Sequence, residues 1–211
     1  MTKYVSIIGN GESRRGFDLS HLKLFSTVIG CNAIYRDYVI EYLSCADKHM
    51  VQQAVNAVGK GTTIFTRENW ARQFANWPNV KVFPKLPYSG DKRQDEPFHW
   101  GTGPYAGVLG LTFKPKAIFM LGFDLHPLEK DKINNMYTGS DGYTYIKRPV
   151  NPSYWIYQFH KLMGYSDPDT RWIVVNHDHW EMPKEWSQHG NVFQETYTGM
   201  AKFINKQLTK K

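Results

Sequence analysis

The chain has 211 residues, 41% hydrophobic and 15% aromatic, with a formal charge of +7. That profile fits a folded protein with a sizeable core and excludes a disordered chain. It also excludes a membrane-spanning design, because no apolar run approaches the roughly 18 residues a bilayer requires.

No repeat, low-complexity tract or linker divides the sequence, so one domain is expected over 1–211. The amino terminus enters an apolar strand without a signal-peptide pattern, and a soluble, cytoplasmic protein is expected, in the host cytoplasm if the chain is viral. Cys31 and Cys45 are too few for a disulfide framework or a zinc site of their own. The basic residues are scattered, with short clusters at Arg14-Arg15, Lys92-Arg93 and Lys202 to Lys211. No nucleic-acid motif accompanies them, so they read as a solvated surface.

In chain order, Val5, Ile7 and Ile8 read as a buried strand running into Gly9-Asn10-Gly11-Glu12-Ser13. Glycines in such a turn permit positive φ and close backbone approach, as a phosphate-binding turn needs. Residues 17–22 read as a short turn and not a full crossover helix. A second strand over 26–31 ends at Asn32, and the segment 38–46 contains a third. Asp47 follows it as an N-cap or a ligand-binding residue, opening a helix to Val58 that Gly59 and Gly61 end. A strand over 61–66, a helix over 67–76 and a strand over 79–83 stopped by Pro84 come next. The stretch 84–100 reads as a long loop of the kind that forms lids or binding elements.

Gly101-Thr102-Gly103-Pro104 opens an apolar helix to about Phe113, with Thr102 placed to cap it and Pro104 suited to its first turn; such a start also attracts anions. Residues 116–122 form the most apolar strand, expected at the sheet centre, and it ends at Gly122-Phe123-Asp124-Leu125-His126. A second long loop spans 127–150. A helix over 151–163, a strand over 171–175 ending in Asn176-His177-Asp178-His179, and an amphipathic helix over 194–208 complete the chain. The alternation predicts an α/β fold, Rossmann-like, with a mainly parallel sheet of about six to seven strands flanked by helices.

In a parallel sheet, ligands collect at the carboxyl ends of the strands. That edge gathers Asn10, Asn32, Asp47, Gly122 with Asp124, and Asn176 with His177, and the helix opened by Thr102 faces it if its crossover is right-handed. Amides, a hydroxyl and helix-start N–H groups suit a nucleotide. Neither a Walker lysine motif nor the Rossmann glycine triplet is present.

The runs Ile8-Gly9-Asn10-Gly11-Glu12-Ser13, Gly30-Cys31-Asn32-Ala33-Ile34-Tyr35, Thr102-Gly103 and Leu121-Gly122-Phe123-Asp124, in this order, resemble the bacterial sialyltransferases. They are also similar to the wider sialyltransferase-like group, which includes pterin-diphosphokinase-like proteins and uncharacterised bacteriophage proteins. The resemblance implies a domain that binds a CMP-sugar. It assigns nucleotide binding to Asn10, Ser13, Asn32 and Thr102, with Gly9, Gly11 and Gly103 shaping the turns and Asp47 lining the site. It makes Tyr137, Tyr143 and Tyr145, in the loop after the Gly-x-Asp strand, candidates for the phosphate, while Gly122 and Asp124 at the end of that strand count among the nucleotide-binding residues.

Sialyltransferases of this family carry a histidine base before the helix that starts here near Asn151, where this chain has Lys147-Arg148-Pro149. His126 and His177 are the alternative acid or base candidates, their unperturbed pKa lying near operating pH. His177 and His179 flank Asp178 as a surface loop and not a complete metal site; His160 sits within an amphipathic helix. Three functions follow: transfer from a nucleotide-activated sugar to an unknown acceptor without metal, diphosphate transfer with Mg²⁺ at Asp47 and Asp124, or nucleotide binding without catalysis.

Overall fold

The computed structural model describes residues 3–87, 100–128, 132–143 and 151–209. It is an α/β structure built on one eight-stranded sheet. The strands are β1 (Tyr4–Ile8), β2 (Thr27–Cys31), β3 (Tyr42–Ser44), β4 (Thr63–Thr66), β5 (Val80–Val82), β6 (Ala117–Leu121), β7 (Arg171–Asn176) and β8 (Val192–Thr196). Their order is β5-β4-β3-β2-β1-β6-β7-β8, and every pairing is parallel. The helices are α1 (Lys48–Ala57), α2 (Glu68–Gln73), α3 (Thr102–Thr112), α4 (Ser153–Tyr165), α5 (Lys184–Ser187) and α6 (Tyr197–Leu208).

Strand periodicity explains the two cores. In β1, Val5 and Ile7 face one layer and Ile8 the other; in β6, Ile118 and Met120 face the first while Ala117, Phe119 and Leu121 face the second. The first layer holds α3, α4 and α5 with Phe159, Trp172 and Trp186; the second holds α1 and α6, with Tyr4, Phe25, Phe119 and Phe203 packed edge to face. All five residues of β6 are buried, because both its faces are covered. As the sequence implies, β1 reaches β2 through 3-10 turns at Glu12–Arg14 and Leu22–Leu24, without a crossover helix.

The chain builds β1 to β5 outward in one direction. It then returns along α3, across β1, β2 and β3, to place β6 on the other side of β1. The topological switch point is therefore the pair β1 and β6, where an open parallel sheet forms its crevice.

The structure departs from the sequence reading at four places. An eighth strand, Val192–Thr196, takes the residues expected to begin the last helix, which starts at Tyr197 with the Thr196 hydroxyl accepting from the Gly199 amide at 2.9 Å. Only Val192 of that edge strand is buried, so it carries no alternating pattern. Thr102 lies inside α3, behind Gly101 at the N-cap position, and its hydroxyl points elsewhere. Asp47 holds the N-cap position of α1 without a side-chain cap bond. Finally, α1 ends through Val58 in extended backbone and not through a left-handed glycine.

Where β1 and β6 end, the Gly9 amide donates to Leu121 O at 2.7 Å and the Gly11 amide to Gly122 O at 2.9 Å. Gly122 has φ +71, and a Cβ on Gly9 would lie 2.3 Å from Gly122 O, closer than any side chain tolerates. Gly9→Ala is expected to lower stability by about 2–3 kcal/mol, as overpacking against backbone does. Gly59→Ala, which meets open space, should stay within about 0.5 kcal/mol. Denaturant unfolding of the two variants measures the difference.

Candidate active site

A cavity of about 390 Å³ opens at the switch point. The ends of β1, β2, β3 and β6 and the starts of α3 and α4 form its walls. Of the residues singled out in the sequence, Gly9, Asn10, Gly11, Asn32, Asp47, Thr102, Gly103, Gly122, Asp124, His126 and Tyr143 line it. Ser13, Tyr137 and His177 do not. Tyr145, Lys147 and Arg148 fall outside the described residues.

Asp124 is 5% exposed and clasps the first turn. Its carboxylate accepts from the Ser13 amide at 2.9 Å and from the Ser13 hydroxyl, which also meets the Tyr197 hydroxyl at 3.0 Å. The Asp124 carbonyl accepts from the Trp180 indole at 2.7 Å. The Glu12 amide donates to Asn134 Oδ1 at 2.8 Å. The amides of Gly9, Gly11, Glu12 and Ser13 are thus spent on protein acceptors. A ligand here meets the Asn10 side chain and the start of α3, where the first-turn amides of a helix lack intrahelical partners.

A polar ladder crosses the cavity wall. The Thr102 hydroxyl accepts from the Ala46 amide at 3.1 Å and donates to Asn32 Oδ1 at 3.2 Å. Asn32 and Asn10 both hydrogen-bond the Tyr143 phenol, Asn10 Nδ2 at 3.2 Å. Burial nevertheless pushes that phenol well above its usual pKa, so it stays protonated. Asn10 Oδ1 is buried without any partner. Asn32 and Leu125 hold φ of 49° and 62°. Asparagine tolerates that region, but a leucine in it stores strain, and such residues cluster at functional sites.

The segment 132–143 closes one side. The Met136 amide donates to Asn10 O at 2.8 Å. Arg14, 3% exposed, donates to Gly9 O at 2.8 Å and to the Tyr137 hydroxyl at 3.0 Å, which donates to Asp37 at 2.7 Å. Arg36 donates to Ser140 Oγ at 2.6 Å and to Asp141 O at 2.8 Å. Tyr137 therefore fastens the wall from behind.

On the other side, the described residues leave the cavity open. His126 is exposed at the rim, its Nδ1 2.9 Å from Pro127 O. Asp47 is exposed at the mouth, facing Tyr154 of α4, whose phenol is pushed up to about 12 by burial and then by the Asp47 charge. His177 lies outside, stacked on His179 with ring centroids 5.6 Å apart. Cys31 lines the cavity as a thiol pushed up to about 12 by burial.

Sequence reading missed Tyr154, Trp155, Phe123 and Phe159 in the wall, and Asn134 and Asn135 beside it. The adjacent Tyr154-Trp155 pair at the start of a helix after a long loop was the available signal. Gly101 and Gly103 have packing roles: Cβ atoms there would lie 2.6 Å from Trp155 Nε1 and Phe123 Cε1.

Among the described residues, no group of three or more His, Cys, Asp or Glu side chains could hold a metal, and no helix is long and apolar enough to cross a membrane. Fold and cavity together define an α/β protein with a Rossmann-like parallel sheet and a crevice at its switch point. No family model, curated protein or solved structure matches the chain.

Asp124→Ala would strand the Ser13 amide and leave the Ser13 hydroxyl with Tyr197 alone, and is expected to cost about 3 kcal/mol in denaturant unfolding. Tyr137, Tyr154 and Tyr197 all have phenols pushed up to about 12, burial being the first cause. Their unfolded values lie near about 10, so their stabilising contribution is full below that pH and is lost as pH rises through about 12. Phenolate absorbance is expected to lag behind free tyrosine and then rise with the loss of far-ultraviolet circular dichroism. Tyr137→Phe should reduce the lag.

Proposed function

We propose that the cavity binds a nucleotide-activated sugar and that the protein is a glycosyltransferase of sialyltransferase-like type. One observation carries this reading. Asn10, Asn32, Thr102 and Tyr143, from four separate stretches of sequence, meet in one hydrogen-bonded ladder on the cavity wall. Convergent polar groups in an otherwise apolar cleft are what fix a small ligand's orientation.

In this scheme the bond between the sugar's anomeric carbon and the phosphate oxygen breaks as the acceptor oxygen bonds that carbon. His126 at the rim takes the acceptor's proton. The first-turn amides of α3 and the protonated phenol of Tyr143 stabilise the departing phosphate. Diphosphate transfer with Mg²⁺ gains less support, because the Asp124 carboxylate is committed to Ser13 and, among the described residues, leaves Asp47 without a carboxylate partner. A nucleotide-binding protein without transfer activity is the second reading, favoured by the lack of a histidine before α4 and by the place of His177 outside the cavity.

A thermal-shift screen with CMP, CDP, UMP, UDP, GDP, ADP and ATP, with and without Mg²⁺, tests the shared premise. A nucleotide at a hundredfold excess over its dissociation constant should add about 2.7 kcal/mol. Asn32→Gly, which keeps the positive-φ backbone while deleting the amide, should abolish the shift. A screen in which no nucleotide stabilises the protein would overturn both readings.

A further inference from the structure

The protein carries a charge of +7, yet among the described residues no lysine or arginine lines the cavity. Its unspent polar atoms include two acceptors. Asn10 Oδ1 is buried without a partner, and the Asp47 carboxylate takes neither a side-chain hydrogen bond nor an ion pair from the described residues. Among the described residues, the neighbouring cations Lys48 and Arg67 are directed elsewhere. Lys48 lies 5.7 Å from the Trp70 ring centroid, and Arg67 lies 4.9 Å from it while donating to Ala46 O.

Opposite Asp47, the first turn of α4 brings Tyr154 and Trp155 into the wall, their ring centroids 5.0 Å apart. An exposed carboxylate beside Tyr154, with Trp155 lining the same wall, favours a cation, through the ion pair and through the negative faces of aromatic rings. The same arrangement repels a second carboxylate.

We propose that Asp47, with Tyr154 and Trp155, is a specificity-determining subsite that selects a sugar bearing a protonated amine and rejects one bearing a carboxylate. This deepens the sugar-nucleotide reading and rests on it. It sets the chain apart from enzymes whose donor is an acidic sugar.

Calorimetric titration of the full chain with the methyl glycosides of glucosamine, glucose and glucuronate tests it. Each titration is run alone and with whichever nucleotide of the screen stabilises the protein most. The wild type should bind the glucosaminide about fivefold more tightly than the glucoside, with the glucuronide weakest. Asp47→Asn should bring the charged pair within about twofold, and Asp47→Lys should invert the order. Both changes are at an exposed side chain, and thermal unfolding checks that the variants fold. The proposal is overturned by an order unchanged in Asp47→Asn, by a preference for the glucuronide, by no binding of any glycoside, or by an Asp47 dependence that appears only with Mg²⁺. Retention of the glycoside order when no nucleotide binds would sustain the subsite while removing the nucleotide reading.

Discussion

The close approach of β1 and β6 at their carboxyl ends governs the rest of the molecule. Two chain segments more than a hundred residues apart must meet with Gly9 against the Gly122 carbonyl, and only residues without side chains permit it. Once they meet, Asp124 falls beneath the first turn, binds Ser13 and brings in Tyr197 and Trp180 from beyond β7. The crevice follows from that junction, since the strands on either side then diverge into opposite crossovers.

The junction also decides what the crevice can recognise. A glycine-rich turn after a first strand ordinarily offers its amides to a phosphate, but here those amides bind the protein itself. Recognition passes to side chains and to the start of α3. A wall of asparagine, threonine and tyrosine groups, rimmed among the described residues by His126 and the Asp47 carboxylate, has a different electrostatic character from a phosphate nest.

Much of this was legible in the sequence, and the limits have physical causes. Apolar runs over 5–8, 27–31, 117–121 and 172–175 are buried on both faces, so their strands announce themselves. Val192–Thr196 lies at an edge with three exposed residues, and its sequence continues smoothly into α6. Asn10, Asn32, Asp47 and Asp124 are placed by strand ends, which the topology forces to one edge, and Thr102 by the start of α3. Tyr154 and Trp155 reach the cavity through the packing of α4 on α3, and that angle is written in no local pattern. Ser13 and Tyr137 were expected to bind the nucleotide, and neither lines the cavity. Only the structure reveals that their hydroxyls are consumed in fastening it.

The fastening of residues 132–143 has a consequence for traffic into the cavity. Opening that wall would separate Met136 from Asn10 and Asn134 from Glu12, and would leave the buried Arg14 guanidinium without the Tyr137 hydroxyl. Arg14 would keep its bond to Gly9 O, and losing one hydrogen bond to a buried charged group costs about 1.5–3 kcal/mol. Among the described residues, the route to solvent accordingly runs past His126, Asp47 and Tyr154. A molecule entering by that route passes the rim groups before it reaches the asparagine ladder, so the end that it leads with is not the end held at the mouth.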